Sequence, residues 1–379
     1  MEKRFKQTEI GMIPENWEVN NLGKIANFKT GKLDSNYAEE KGKYPFFTCA
    51  PEPLKINSYS FDCEAILLAG NNANGVFHTN FYNGKFDAYQ RTYVITPRDN
   101  FVSLKYLLYQ LNFRLNYLKE ISQGTATKFL TMVILNNLKI PIPPLPEQIT
   151  IVSILSSLDA KIELNNQMNK TLEAIGQVLF KKWFVDERKK EWKIKNIQEI
   201  LVFEKGIEPG SKCYETKKSD NNIRFIRVGD INQPDKVDTF IPLNLTENKI
   251  CNEKDILISL DATLGIVRIG MKGAFSSGVK KVYFKDKVIP KGYIYFLLKS
   301  KKIQEIINTY AQGTTILHAG HSLNYMNLAV PDETTFSNFS TLIEPIFNKL
   351  VSNVKQSQNL SKIRDSLLPK LMSGEIRVK

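Results

Sequence analysis

Residues 16–32, NWEVNNLGKIANFKTGK, return at 191–207 as EWKIKNIQEILVFEKGI, at an offset of 175 and without a gap. Trp17 meets Trp192, Val19 meets Ile194, Leu22 meets Ile197, Ile25 meets Ile200, Phe28 meets Phe203 and Gly31 meets Gly206. The apolar spacing in both copies predicts a strand, a short helical turn and a second strand ending at glycine. Such self-similarity marks a duplicated unit.

Outward from this stretch the offset grows to about 190. Ile66-Leu67-Leu68 aligns with Ile256-Leu257-Ile258, Gly75 with Gly265, Tyr93 with Tyr283, and Leu138 and Pro141 with Leu328 and Pro331. Gln123-Gly124-Thr125 aligns with Gln312-Gly313-Thr314 one residue off that register. The second copy therefore carries about 15 extra residues, expected within 208–255. Aligned aromatics Phe28, Phe203, Tyr93 and Tyr283 are expected in the core.

Each copy runs into a stretch with apolar residues three and four apart, the mark of a helix with one apolar stripe. At an offset of 188 the stripes superpose: Leu158 on Ile346, Ile162 on Leu350, Leu172 on Leu360, Leu179 on Leu367 and Trp183 on Leu371. Ile363 continues the second stripe. Asn165 falls on Asn353, so both stripes are interrupted at one place; a buried polar residue in a helical seam fixes register at a cost in stability. Neither stripe can stay exposed, so the helices are expected to pack on each other. The predicted fold is α+β: two repeated strand-rich domains of mixed α/β content, separated by two long antiparallel coiled-coil helices, pseudo-two-fold and circularly closed. A helix of about 30–40 residues spans roughly 45–60 Å, more than the ~34 Å between successive major-groove faces of B-DNA.

The chain of 379 residues carries a net charge of +13. Residues 1–145 hold 17 basic and 13 acidic side chains, and 187–338 hold 24 and 18. The first helical stretch has no excess, so the basic charge lies mainly on the two strand-rich blocks, as suits a polyanionic partner. No apolar run is long enough to span a membrane, no secretory leader is evident at the start, and four scattered cysteines fit a reducing cytoplasm.

Three further motifs carry a resemblance: Ile13-Pro14-Glu15-Asn16-Trp17, IPIPPLPEQ at 140–148, and SLLPKLMSGEIRV at 366–378. Together with the duplication, their order and spacing resemble the specificity subunits of Type I restriction–modification systems across essentially the whole chain. The resemblance implies target-recognition domains at 1–145 and 187–338, and spacer helices at 146–186 and 339–379. Each domain would read one half of a bipartite, asymmetric site on double-stranded DNA. The helices would set the gap and dock two modification subunits, which bind S-adenosylmethionine and methylate adenine. Restriction subunits would supply the cleavage and translocation that use ATP and Mg. The second domain departs from the pattern, leaving through Val330-Pro331-Asp332-Glu333-Thr334 without a PPLPEQ run, so a different local path into the second helix is expected. A specificity subunit for a fused Type II restriction–methylation enzyme, or a coiled-coil scaffold that ignores DNA, is the alternative.

The residues offer no chemistry of their own. There is no Asn-Pro-Pro-Tyr or Asp-Pro-Pro-Tyr loop, no Gly-x-Gly-x-x-Gly, no phosphate-binding Gly-x-x-x-x-Gly-Lys-Ser/Thr and no Cys-x-x-Cys. His318 and His321 lack a third ligand, so no metal site is expected. The chain reads as non-catalytic and free of cofactors.

Base reading needs forked donors and acceptors on loops, and phosphate contacts need Lys, Arg, Ser, Thr or free N–H groups. In the first block the candidates are Lys29 and Lys32 in a strand-end loop, Asn71, Asn72 and Asn74 in an amide-rich turn, and Gln90 and Arg91 ahead of a strand. Thr125, Thr127 and Lys128 are expected in a loop capping a helix. Equivalent places in the second block hold Lys205, Asp261, Thr263, Thr314 and Thr315, with Lys280, Lys281, His318 and His321 nearby. Asp261 in place of Asn71, and a residue at or next to Leu317 in place of Lys128, would suit a different half-site.

Overall fold

The computed structural model describes residues 4–73, 75–232, 238–285, 290–313 and 317–378. The chain divides into two compact units, one of residues 1–159 and 362–379, the other of residues 160–361.

Both copies of the opening stretch fold as the apolar spacing predicts. Glu18–Asn21 is a strand, Leu22–Ile25 a single helical turn and Ala26–Thr30 a strand; in the second unit the same three are Lys193–Asn196, Ile197–Ile200 and Leu201–Lys205. Trp17, Leu22 and Ile25 are fully buried in one unit, and Ile197 in the other. A glycine ends each copy because the next backbone lies against it: a Cβ on Gly31 would sit 1.6 Å from the Ala88 carbonyl oxygen, and one on Gly206 2.0 Å from that of Phe275.

Unit one is built on a six-stranded sheet in the order Ala26–Thr30, Thr92–Pro97, Phe61–Ala69, Thr79–Ala88, Tyr44–Phe47, Leu54–Ile56, antiparallel except where Tyr44–Phe47 meets Thr79–Ala88. One face carries Ile66, Leu68 and Ile95 against Tyr106, Leu107 and Leu111 of the helix Leu104–Phe113; the other carries Ala65, Leu67 and Val94 against Phe47 and Phe86. Alternate residues of one strand thus feed two cores, as a strand's period of two dictates. Unit two repeats the plan in two four-stranded sheets, with a parallel strand pairing again present, between Asn222–Ile226 and Gly273–Phe275. Its extra residues fall within 208–255; the connection 227–239, for example, stands where unit one has only 48–53.

Strand pairing corrects one alignment. Tyr93 lies opposite Thr30 and Leu68, and Lys280 lies opposite Lys205 and Ile258. Lys280, not Tyr283, is therefore the counterpart of Tyr93, because the second copy is already shorter upstream, before Phe275, which stands where the first has Ala88. Tyr283 is 39% exposed and not part of the core, whereas the Tyr93 hydroxyl donates to the Leu130 carbonyl at 2.8 Å.

The long helices run Leu145–Lys181 and Glu333–Ser373. In unit one, Ile151 and Leu155 of the first meet Leu367, Leu371 and Met372 of the second within one core, and Arg364 donates to Asp159 at 2.8 Å. In unit two, Asn165 Nδ2 donates to Gln356 Oε1 at 2.9 Å and to Ser357 Oγ at 3.2 Å, and Asn353 Nδ2 donates to Asn169 Oδ1 at 2.9 Å. The partner number falls as the residue number rises, so the helices are antiparallel there. Each buried Asn bonds across the seam to a different partner. Leu172, Leu179, Trp183 and Ile346 pack at the flank of the unit-two core, around a centre made by Phe180, Phe184, Phe339, Ile343, Phe347 and Leu350. Leu158, Ile162 and Leu360 are half-buried, and Ile363 is 47% exposed. The buried stripe on the second helix thus keeps Leu350, Asn353 and Leu371 and takes in Phe339, Ile343 and Phe347, while Ile363 falls outside it.

The motifs quoted above interlock in unit one. Trp17 Nε1 donates to Glu147 Oε2 at 3.0 Å, and Arg377 grips both Glu147 oxygens at 2.7 and 3.0 Å. Gln148, fully buried, donates to the Phe101 and Pro143 carbonyls and accepts from Ser103 N. Gly374, at φ +76°, lies where a Cβ would strike Pro14. Unit two, lacking the Pro-Glu-Gln run, enters its helix through Asp332, whose carboxylate accepts from Thr335 N at 2.7 Å as an N-cap.

Candidate nucleic-acid interface

In unit one the segment Asn71–Ala73 pairs antiparallel with Thr127–Phe129, setting Asn71 opposite Phe129 and Asn72 opposite Lys128. A cleft of about 350 Å³ beside this ribbon is lined by Thr48, Cys49, Asn71, Asn72, Tyr89 and Thr127. A second, of about 220 Å³, is lined by Thr30, Asn71, Gln90, Arg91 and Phe129. The fold therefore brings Asn71, Asn72, Gln90, Arg91 and Thr127 together from distant parts of the sequence. Gln90 and Arg91 are exposed, and Gln90 Nε2 reaches Asp34 Oδ2 at 3.5 Å. Lys29 lies apart, in a cleft with Asn27, Arg98 and Asn136; Lys32 is exposed just past Gly31.

The segment 123–129 does not cap a helix. It closes as a small hairpin through the Gln123–Phe129 bridge. Gly124, at φ +97°, takes the turn position closed to a side chain. The following helix, Met132–Asn137, is capped by the Thr131 hydroxyl instead. Thr125 and Thr127 are exposed on the hairpin and Lys128 is half-buried. Asn74, Thr314 and Thr315 lie outside the described residues.

Unit two builds the same feature with different side chains. Asp261 bridges His318 as Asn71 pairs with Phe129, and His318 bridges Gln312 as Phe129 bridges Gln123. Ala262 N donates to the Leu317 carbonyl at 2.7 Å, which fixes Leu317 as the counterpart of Lys128. His318 Nδ1 lies 2.7 Å from Asp261 Oδ1. Thr263 is exposed, and its carbonyl accepts from Ser259 Oγ, which also receives Ile266 N at 3.1 Å.

Two neighbouring lysines do opposite things. Antiparallel pairing sets Lys205 against Lys280, and Glu204 against Lys281. Directly opposed residues share a face of the sheet, and opposed like charges repel. Lys281 is bound to Glu204 at 2.7 Å, with Lys249 on the same carboxylate at 3.1 Å. Burial works to raise the Glu204 carboxyl, but the hydrogen bonds and charges of Lys281 and Lys249 outweigh it and hold it below the usual range. Lys281 is therefore an internal ion-pair partner and not a free phosphate contact. Burial, with Lys205 adding repulsion, depresses the Lys280 ammonium below its ordinary value, and Asp261 partly offsets this. An anion at Lys205 and Lys280 would relieve that repulsion.

His321 sits elsewhere, with its ring nitrogens 3.2 Å from Asn324 Nδ2 and 3.4 Å from the Tyr325 hydroxyl. Tyr325 stacks on Tyr310 at 3.7 Å and 3°. Sequence reasoning missed this stack, and missed Cys49, whose thiol donates to Asn71 Oδ1 at 2.8 Å. Neither has a local sequence signal, since each depends on a partner brought in by the fold. Among the described residues no group of His, Cys, Asp and Glu is placed to hold a metal ion, and no helix is long and apolar enough to cross a membrane.

A family model described as the Type I restriction modification DNA specificity domain matches residues 14–174 and again 189–332. The chain is similar to the Type I restriction enzyme MjaIX specificity subunit of Methanocaldococcus jannaschii, 28% identical over 428 residues that span 100% of this chain and 97% of that one. It is also similar to the Type I restriction enzyme EcoDI specificity subunit of Escherichia coli, 35% identical over 229 residues, 58% of this chain and 50% of that one. Its fold is shared with the crystal structure of a Type I restriction–modification S subunit from M. genitalium, at a TM-score of 0.62 and 18% identity over 98% of this chain and 99% of that one.

Proposed function

The chain belongs to the Type I restriction–modification DNA specificity family, and from that premise we propose that its two repeats each read one half of a bipartite, asymmetric sequence on double-stranded DNA. The chain is the DNA-recognition subunit of a Type I complex and does no chemistry itself. Residues 1–145 and 187–338 act as the readers. The helical stretches 146–186 and 339–379 set the gap and dock two modification subunits. Those subunits bring S-adenosylmethionine and methylate adenine; restriction subunits bring the ATP- and Mg-dependent steps.

The observation that carries this reading is the contrast at one shared place. The same two-stranded ribbon presents Asn71 and Phe129 in one repeat, and Asp261 and His318 in the other. A common scaffold with unlike side chains at its exposed ribbon suits two readers with unlike targets. Among the candidate side chains, Asn71, Asn72, Gln90, Arg91, Asp261 and His318 have forks or rings suited to base edges. Lys29, Lys32, Thr125, Thr127, Lys128, Lys205, Thr263 and Lys280 suit phosphates.

The test is a domain exchange. Residues 1–145 are replaced by the first domain of a relative, the chain is expressed with its modification subunits, and methylated adenines are mapped across the host genome. One half of the methylated motif is expected to change while the other half and the gap persist. An unchanged motif overturns the reading.

A further inference from the structure

We propose that Asp261 and His318 form the base-reading pair of the second repeat, with the Asp261 carboxylate accepting from the N4 amine of cytosine in a C·G pair. The inference rests on the function proposed above and adds the base. Five observations meet at this place. Asp261 stands where the first repeat has Asn71, on the same bridged ribbon. A carboxylate on a DNA-binding face repels phosphates, yet here Lys280, on the adjacent strand and opposite Lys205, interacts with Asp261 and supplies neutralising charge.

The side chain is aimed and held. One oxygen, Oδ1, is engaged by His318 Nδ1 at 2.7 Å. The backbone of Gly278 packs against the group so closely that a Cβ there would lie 3.1 Å from Oδ2. The pair stays accessible, with 29% of the Asp261 side chain and 62% of the His318 side chain exposed. Finally, Ala262 is held at φ +58°, a left-handed conformation that an alanine adopts only under constraint. Its N–H is tied to Leu317, and the turn is stapled through Ser259. Strain maintained this way gathers at functional sites.

The chemistry then selects the base. An ionised carboxylate only accepts. The cytosine edge in the major groove offers a single donor, N4, and no acceptor of its own. Adenine offers N6 beside the N7 acceptor, which would face the carboxylate with like polarity. Adenine suits the forked amide that the first repeat carries as Asn71.

The experiment uses the full chain assembled with its modification subunits, challenged with duplexes randomised across the second half-site and sequenced after selection. The wild-type complex is expected to prefer C·G by about 10- to 100-fold at one position of that half. Asp261→Ala should reduce the preference there to within about threefold, leaving the first half unchanged. Asp261→Asn keeps an acceptor for His318 and adds a donor, so it should shift that position toward A·T; it also serves if the alanine variant fails to assemble. Retention of the wild-type second half by both variants, or an Asp261-dependent position that is A·T or T·A in the wild type, overturns the proposal and leaves the two-reader function standing. A wild-type complex that selects no bipartite sequence overturns both.

Discussion

Trp17 and Trp192 occupy one position in the two repeats and differ in a single hydrogen bond. Trp17 Nε1 donates to Glu147, which Arg377 holds from the other side. Trp192 Nε1 is buried without an acceptor. At the offset that superposes the helices, the place of Glu147 is taken by Thr335. A hydrogen bond to a charged group contributes about 1.5–3 kcal/mol, and a buried donor without a partner carries a desolvation penalty. Trp17→Phe should therefore destabilise the chain by roughly 2 kcal/mol or more, while Trp192→Phe, which also removes the penalty, should cost under about 1 kcal/mol. Denaturant unfolding of the two single variants measures the difference; equal losses would show that the Glu147 contact contributes nothing. The alignment of the tryptophans was legible in the sequence. Their inequality was not, because Glu147 and Arg377 reach Trp17's neighbourhood from 130 residues down the chain and a further 230 beyond.

At the scale of the element, the long helices were legible as helices and only partly as packing surfaces. Steps of three and four identify the structure but leave the angle of the stripe open when a helix is apolar on more than one side. Phe180 is 4% exposed, with its ring against Phe184, Tyr293 and Phe339, while Val178, two residues away, is 68% exposed. Phe180→Ala should cost about 3–5 kcal/mol, and Val178→Ala should stay within about 0.5 kcal/mol; thermal unfolding of both variants tests which face is buried. The start of the second helix makes a separate prediction. Asp332 caps it, and hydrogen bonds from Thr335, with Lys189 adding attraction, hold its carboxyl at about 2. A carboxyl whose folded value lies below its unfolded one, about 3.8, adds stability that is present above the unfolded value and lost as pH falls through the folded one. The contribution should therefore disappear between about pH 4 and pH 2. Asp332→Asn, which still caps, should flatten that acid limb of the thermal midpoint; Asp332→Ala should lower the midpoint at neutral pH as well. An acid limb identical in wild type and Asp332→Asn would refute the assignment.

For the whole molecule, the duplication was the most legible feature, since it is written in aligned residues and needs no contact to be seen. What the sequence concealed was the function of individual charges. Lys280 and Lys281 are adjacent and look interchangeable, and both stood as candidates for DNA contact. The strand's alternation sends them to opposite faces, one against Lys205 and the other against Glu204. A net charge of +13 is therefore not a count of phosphate contacts, because part of it is consumed inside the fold. Association with duplex DNA releases condensed counterions, so the logarithm of the binding constant falls with the logarithm of salt concentration by about 0.9 for each phosphate neutralised. Lys205→Ala and Lys280→Ala should each make that slope shallower by about 1 and weaken binding to all sequences alike. Lys281→Ala should leave the slope unchanged, and should instead destabilise unit two by exposing Glu204 to a half-satisfied site. Titrations of a fluorescent duplex with the assembled complex at four or more salt concentrations separate the cases. A slope that changes for Lys281→Ala and not for Lys280→Ala would mean that the face carrying Glu204, not the face carrying Asp261, is the one turned to DNA.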